Sequence, residues 1–137
     1  MEAISALTKY KVLEKLGEGG MGVVYKAEDL ALQRIVAIKT ISKQGQRSQE
    51  AETRFLREAR AASSINHPNI VTVYEIGETD QHAYIVMEYV EGLSLRQLIA
   101  RHLLDGTAVL DISLQICDAL AEAHRQGVIH RDIKPEN

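Results

Sequence analysis

The sequence has one cysteine, no long hydrophobic run and no excess of basic residues, and each of these absences narrows the class of protein. Cys117 alone cannot form an internal disulfide, so the chain is expected in a reducing compartment, the cytoplasm. Its place in an apolar periodic stretch predicts a small buried thiol. No run of about 18 apolar residues occurs, so no membrane-spanning helix is predicted within the segment. The first residues include an acidic residue, Glu2, and contain no long apolar run, which argues against a secretory signal peptide.

The charge balance argues against nucleic acid as a partner. Sixteen Lys and Arg against nineteen Asp and Glu give a net charge of −3, whereas a protein that binds polyanions over a broad surface is expected to be basic. With 137 residues, 45% of them hydrophobic, the chain is expected to form a globular domain with one hydrophobic core. A longer domain of which these residues are a part is the alternative.

Hydrophobic periodicity predicts five strands and one helix in the first two thirds of the chain. Alternation of apolar and polar residues is typical of strands, and apolar residues at every third or fourth position are typical of a helix. The first two strands are expected to form a hairpin. The predicted strands cover residues 10–16, 23–30, 34–40, 71–78 and 82–90, and the predicted helix covers residues 49–64.

The pattern changes at Gly92, which marks a boundary between two predicted units, residues 1–91 and residues 92–137. Beyond it, Ser94 and Gln97 have the spacing of a capping box and predict a short helix over residues 95–102. A longer helix is predicted to end at Gly127, because glycine is favoured just past a helix C-terminus. Its apolar face is formed by Val109, Ile112, Ile116, Ala119, Leu120 and Ala123.

A glycine-rich turn joins the first two predicted strands. Residues 17–24 fit the pattern G-x-G-x-x-G-x-V, in which glycines let backbone amides approach phosphate oxygens without a Cβ in the way. The segment is not a Walker A loop, because no Gly-Lys-Ser/Thr follows, and not a dinucleotide fingerprint, because a strand comes next. A hairpin that covers phosphates passes both tests, and an ordinary flexible hairpin loop is the alternative. The turn consists of Gly17, Glu18, Gly19, Gly20, Met21, Gly22, Val23 and Val24.

Lys39 ends the third predicted strand and is a candidate phosphate ligand. The period of two in a strand puts Lys39 and Ala37 on one face. An ammonium group needs a counter-charge to stay in place. Glu58 is the candidate, because it shares the inward face of the predicted helix with Phe55. The alternative is an exposed Glu58 paired with Arg54, and a Lys39 side chain that extends into solvent.

Residues 130–137 carry a dense group of chemically active side chains in the pattern H-R-D-x-x-x-x-N. Asp132 can accept or orient a hydroxyl proton, and Lys134 can offset charge on a transferring phosphoryl group. The side-chain oxygen of Asn137 can bind Mg²⁺. A solvated charged tail is the alternative.

Four motifs of the sequence together resemble those of the protein kinase superfamily. They are the glycine-rich turn, Lys39 in Val-Ala-Ile-Lys, Glu58 and the H-R-D-x-x-x-x-N segment. The position of Lys134, two residues after Asp132, is similar to that of a lysine in the serine/threonine branch, which tyrosine kinases usually lack. The glycine-rich turn and residues 67–71 are similar to those of bacterial eukaryotic-like (Hanks-type) serine/threonine kinases. The resemblance implies an α+β fold, with a kinase-like small lobe of a five-stranded antiparallel sheet and one helix over residues 1–91. A truncated helical large lobe would follow over residues 92–137.

The resemblance also implies a reaction and a set of site residues. Phosphoryl transfer from ATP, with Mg²⁺, to a Ser or Thr hydroxyl of a protein substrate would use Lys39 for the phosphates and Glu58 to orient Lys39. Asp132 and Lys134 would act at the acceptor hydroxyl and the transferred group, and Asn137 would bind Mg²⁺. The glycine-rich turn would cover the phosphates. An adenine pocket would be lined by Leu16, Val24, Ala37, Val71 and Met87, with the hinge residues Glu88 and Val90 at its edge.

The Asp-Phe-Gly segment and the activation loop of the family do not occur within these 137 residues. The 137 residues alone are therefore expected to bind nucleotide more readily than they transfer a phosphoryl group. A nucleotide-binding or scaffold module derived from a kinase, without catalysis, is the alternative function.

Overall fold

A computed structural model describes residues 8–19, 22–43 and 48–136. Within them the chain forms five strands and three helices. The strands are β1 (Tyr10–Gly19), β2 (Gly22–Asp29), β3 (Arg34–Ser42), β4 (Val73–Glu78) and β5 (His82–Glu88), and the helices are α1 (Ser48–Ser63), α2 (Leu95–Ala100) and α3 (Gly106–Arg125).

The five strands form one antiparallel sheet in the order β1-β2-β3-β5-β4. The first hairpin pairs from Tyr10 opposite Asp29 to Gly19 opposite Gly22. The predicted α+β fold, a five-stranded antiparallel sheet with one accompanying helix, is confirmed.

Each face of the sheet carries its own hydrophobic cluster, because side chains alternate between the two faces along every strand. The cluster on the face away from α1 contains Val36 and Ile38, both fully buried, which alternate along β3 with Ala37 and Lys39. The cluster on the other face includes Phe55 and Ala59 of α1. The sheet residues of the first cluster are Tyr10, Tyr25, Ala27, Val36, Ile38, Tyr84 and Val86, and those of the second are Ala83 and Ile85.

Several element ends differ from the predicted ones. β1 continues three residues past its predicted end, because its pairing with β2 runs to Gly19. β4 begins at Val73 rather than at residue 71, and β5 ends at Glu88 rather than at residue 90. Thr72 is instead held by Glu88, whose backbone N–H donates to the Thr72 carbonyl at 2.9 Å.

The helices beyond Gly92 begin at capping residues. Ser94 and Gln97 form the predicted capping box of α2, which ends at Ala100, two residues before its predicted end. The carboxylate of Asp105 caps α3 by accepting a hydrogen bond from the Ala108 N–H at 2.8 Å. After α3 ends, Gly127 takes a φ of +76°, in agreement with the predicted stop.

Cys117 is exposed in α3, so the prediction of a buried thiol is wrong. The buried residues of α3 are Ala119 and Ala123. Cys117 lies two positions before Ala119, about 200° around the helix, and therefore on the opposite side. Val109, predicted on the apolar face, is also exposed.

The chain divides into two compact units. The first contains the sheet and α1, up to Ser64 and again over Val71–Tyr89. The second contains Ile65–Ile70 and the residues from Val90 onward. A domain boundary between residues 91 and 92 stays a prediction. Among the residues that the structure describes, no helix has the length and apolar character needed to cross a membrane.

Within the second unit, the segment Ile65–Ile70 is fastened to α3 by two side-chain contacts. His67 Nε2 lies 2.9 Å from an oxygen of Asp118, and the Asn69 amide donates to Gln115 at 2.9 Å. The backbone N–H of Asn69 donates to His67 Nδ1 at 3.1 Å. Both ring nitrogens of His67 therefore have partners.

Candidate functional site

The glycine-rich turn lies at the end of the β1–β2 hairpin, as predicted. Gly17 is opposite Val24, and Gly19 is opposite Gly22. A Cβ added at Gly17 or Gly19 would meet no heavy atom within 4 Å. The β1 side of the turn is therefore open to an approaching group. Two further predicted ligands, Gly20 and Met21, lie outside the described residues.

Two predicted ligands near this turn are exposed. The Glu18 carboxylate accepts a hydrogen bond from Lys15, which lowers the pKa of Glu18. Leu16 is also exposed, and the pairing of β1 with β2 shifts register between Lys15 and Gly17. The proposed contacts of Leu16 and Glu18 with a nucleotide stay predictions.

The sheet face that packs against α1 carries four of the predicted nucleotide-binding side chains of the first unit. Val24, Lys39 and Ile85 are register partners across three strands, and Ala37 is opposite Met87 in the adjacent row. Directly opposed residues of an antiparallel sheet project to the same side. The fold thus places four predicted residues on one surface: Val24, Ala37, Lys39 and Met87.

Lys39 is half-buried between the sheet and α1. Its Nζ lies 5.8 Å from the centroid of the Phe55 ring. Glu58 is exposed, since the buried residues of α1 are Phe55 and Ala59, and the prediction that Glu58 faces inward is wrong. In the described part of the chain, no ion pair joins Glu58 to Lys39 or to Arg54. The role of Glu58 in orienting Lys39 stays a prediction.

Lys26 is a residue of this surface that the sequence analysis missed. It is opposite Ala37, and its Nζ lies 4.6 Å from the centroid of the Tyr89 ring and 3.6 Å from a Glu14 oxygen. The polar group of Tyr89, and after it the charge of Glu14, raises the pKa of Lys26. The period of two from Val24 could have identified it.

The predicted pocket residue Val71 and the predicted hinge residues Glu88 and Val90 differ in their surroundings. Val71 is exposed, just before β4. The Glu88 N–H is bound to the Thr72 carbonyl, and the Glu88 carboxylate accepts from the Thr72 N–H at 3.2 Å. Val90 is exposed at the start of the second unit's longer segment. The contacts of Val71, Glu88 and Val90 with an adenine stay predictions.

The predicted catalytic segment, residues 130–137, follows α3 in the second unit, and the structure describes residues 130–136 of it. Lys134 Nζ donates to an oxygen of Asp132 at 2.7 Å, and this hydrogen bond raises the pKa of Lys134. The Asp132 N–H donates to His130 Nδ1 at 3.3 Å. Arg131 has a φ of +64°, a left-handed conformation that non-glycine residues rarely adopt. Such strained backbone clusters at functional sites.

The donor set fits a metal ion that arrives with a nucleotide better than one held by the protein alone. The described residues contain no group of three or more His, Cys, Asp or Glu that could hold a metal ion. Asp132 offers carboxylate oxygen, the ligand that Mg²⁺ prefers, and Mg²⁺ usually combines one or two such ligands with substrate phosphates. The predicted ligand Asn137 lies outside the described residues.

The protein kinase domain family matches residues 10–137. Serine/threonine-protein kinase PrkC of Bacillus subtilis is 48% identical over 130 residues, which cover 94% of this chain and 20% of the relative. Serine/threonine-protein kinase pkn3 of Myxococcus xanthus is 44% identical over 132 residues, 94% of this chain and 24% of the relative. The chain therefore spans about a fifth to a quarter of the length of these curated relatives.

Proposed function

Because the chain belongs to the protein kinase domain family, we propose that it supplies the nucleotide-binding surface and catalytic loop of a serine/threonine protein kinase. The reaction transfers the γ-phosphoryl group of ATP to a Ser or Thr hydroxyl of a protein substrate. One observation carries the proposal: Val24, Ala37, Lys39 and Met87 share one surface of the sheet. The names of the relatives support the serine/threonine class.

The shared surface suits an adenine nucleotide chemically. A flat purine requires apolar contacts on its faces and a few polar groups at its edge. Val24, Ala37 and Met87 provide the apolar contacts, and the small side chain of Ala37 leaves room above the sheet. Lys39, opposite Val24, supplies a positive charge for the phosphates. The open backbone of the glycine-rich turn supplies N–H donors to the same phosphates.

The catalytic segment suits transfer to a hydroxyl group. The hydroxyl oxygen forms a bond to the γ-phosphorus while the bond from that phosphorus to the β-phosphate oxygen breaks, and ADP leaves. Asp132 accepts the hydrogen bond of the attacking hydroxyl and takes up its proton. Lys134, already 2.7 Å from Asp132, stabilises negative charge on the transferring group. Mg²⁺, when bound with ATP, neutralises phosphate charge, and Asn137 is its proposed protein ligand.

A nucleotide-binding module without catalysis is the second candidate. Glu58 is exposed and unpaired with Lys39 in this structure, so the counter-charge proposed for the lysine is not in place. Nucleotide binding needs Lys39 and the apolar surface but does not need Asp132. The two functions therefore differ in whether Asp132 matters.

Nucleotide binding is tested with ATP and adenosine by calorimetry. Lys39→Met is expected to weaken ATP binding about 10-fold or more, since a hydrogen bond to a charged group contributes about 1.5–3 kcal/mol. Adenosine, which lacks phosphates, should bind the variant as it binds the wild type. Lys11→Met is the matched control, because Lys11 is an exposed lysine of β1. Equal ATP binding by Lys39→Met and wild type would contradict the assigned role.

The proposal also places the protein in a reducing compartment, the cytoplasm. Cys117 is the one cysteine and is exposed on α3, which suits a compartment that keeps thiols reduced. Labelling Cys117 with a thiol reagent in intact cells before and after lysis tests this.

A further inference from the structure

Arg96 of α2 is hydrogen-bonded to the catalytic segment. The backbone N–H of Arg96 donates to the Pro135 carbonyl at 2.8 Å. Its guanidinium donates to the Glu136 carboxylate through Nε at 2.7 Å and also through Nη2. Three hydrogen bonds from one residue thus bind two consecutive residues of the segment.

Arginine suits this contact better than lysine. Its planar guanidinium presents several N–H groups in a fixed arrangement, so two of them reach one carboxylate with defined geometry. The hydrogen bond from Arg96 is the main reason that the pKa of Glu136 lies below its ordinary value. The side chains of Arg96 and Glu136 remain 62% and 43% exposed, so the contact is expected to weaken at high salt.

The isoleucine side chains in and beside the catalytic segment are largely exposed. Ile129 and Ile133 are more than half exposed. Asp132 and Lys134 are exposed and bind each other. A contact that ties Pro135 and Glu136 to a neighbouring helix therefore restricts the segment at its C-terminal end.

We propose that Arg96 is a positioning residue for phosphoryl transfer: by binding Pro135 and Glu136, it fixes the catalytic segment and with it the placement of Asp132 and Lys134. The proposal rests on the proposed function. Arg96 touches neither substrate nor phosphate and acts through the segment. Misplacement of a reacting group by about 1 Å can lower a rate on the order of 100-fold.

The test uses a protein in which residues 1–137 are followed by the family's Asp-Phe-Gly segment and activation loop. The variants are Arg96→Ala, Arg96→Lys, Glu136→Gln and the control Arg101→Ala, an exposed arginine at the end of the same helix. Kinetic constants for ATP and a protein substrate are measured beside melting temperatures. Arg96→Ala is expected to lower kcat about 10- to 100-fold with an unchanged KM for ATP. Arg96→Lys should restore part of the loss, and Arg101→Ala should match the wild type. If Arg96→Ala fails to fold, Glu136→Gln is expected to lower kcat in the same way.

A second measurement does not depend on catalysis. Amide ¹⁵N order parameters of Asp132 and Lys134 are expected to fall from about 0.85 to below about 0.6 in Arg96→Ala. Unchanged order parameters, or equal kcat in Arg96→Ala and Arg101→Ala, would overturn the proposal. Absence of phosphoryl transfer by the wild type would instead refute the proposed function, and the order parameters would still decide whether Arg96 positions the segment.

Discussion

Alanine substitutions at two glycines of the same turn, Gly22 and Gly17, are expected to change the stability of the sheet to very different extents. Gly22 has a φ of +110°, and a Cβ there would lie 1.9 Å from the Thr40 carbonyl oxygen. Gly17 has open space around the position of a Cβ. Gly22→Ala should therefore destabilise the sheet, whereas Gly17→Ala should leave its stability nearly unchanged.

The size of the Gly22→Ala effect follows from two terms. A non-glycine residue in a disfavoured positive-φ conformation costs about 1–3 kcal/mol. The clash is with backbone of β3 and not with a side chain that could rotate away, and Thr40 is 97% buried, so relief requires movement of the strand. Together we expect a loss of about 3 kcal/mol or more. At about 3 °C per kcal/mol for a chain of this size, the melting temperature should fall by about 10 °C.

The assay is thermal unfolding followed by circular dichroism, with Gly17→Ala as the matched control. The same proteins are titrated with ATP, since a methyl group at Gly17 would hinder the approach of phosphates to the turn. Gly17→Ala should then keep its melting temperature and lose nucleotide affinity. A Gly22→Ala protein that melts within about 1 °C of the wild type, or a Gly17→Ala protein that loses stability to the same extent, would refute this reasoning.

Two further predictions concern hydrogen-bonded polar groups. The Tyr84 hydroxyl donates to Glu75 at 2.8 Å, and burial together with this bond raises the pKa of Tyr84 to about 12. The unfolded chain loses this proton near pH 10, so its share of stability is complete below pH 10 and is lost between about pH 10 and 12. Tyr84→Phe should reduce that alkaline loss in pH-dependent melting. His67 accepts from the Asn69 N–H at Nδ1, so its Nε2 should carry the proton that faces Asp118, and long-range ¹H–¹⁵N spectra of the imidazole should show this tautomer.

Sequence periodicity predicted the sheet well. Side chains alternate with a period of two along a strand, so the face of one residue determines the faces of its neighbours. Val36 and Ile38 lie in the cluster away from α1, and Ala37 and Lys39 project to the other side. The capping box of Ser94 was equally local, since its partners lie three residues apart. Local patterns of this kind need no knowledge of tertiary packing.

Helix facing was harder to predict. Glu58 lies three residues after Phe55 and one before Ala59, so its spacing from Phe55 fitted the inward face while its spacing from Ala59 did not. The packing of α1 on the sheet decides between these two directions, and it leaves Glu58 exposed. The prediction that Cys117 is buried was also wrong, because the buried side of α3 carries Ala119 and Ala123 and Cys117 lies on the other side. Lys26 was missed because a lysine in a strand is usually assigned to a solvated face.

The most direct test of the account is phosphoryl transfer by a protein in which residues 1–137 are followed by the family's Asp-Phe-Gly segment and activation loop. The protein is incubated with radiolabelled ATP, Mg²⁺ and a basic protein substrate, beside Asp132→Asn and the control Asp80→Asn, an exposed aspartate of the β4–β5 turn. The account predicts phosphoserine or phosphothreonine in the substrate with the wild type and Asp80→Asn, and none with Asp132→Asn. Undiminished incorporation by Asp132→Asn, or no incorporation by the wild type while ATP still binds, would contradict it.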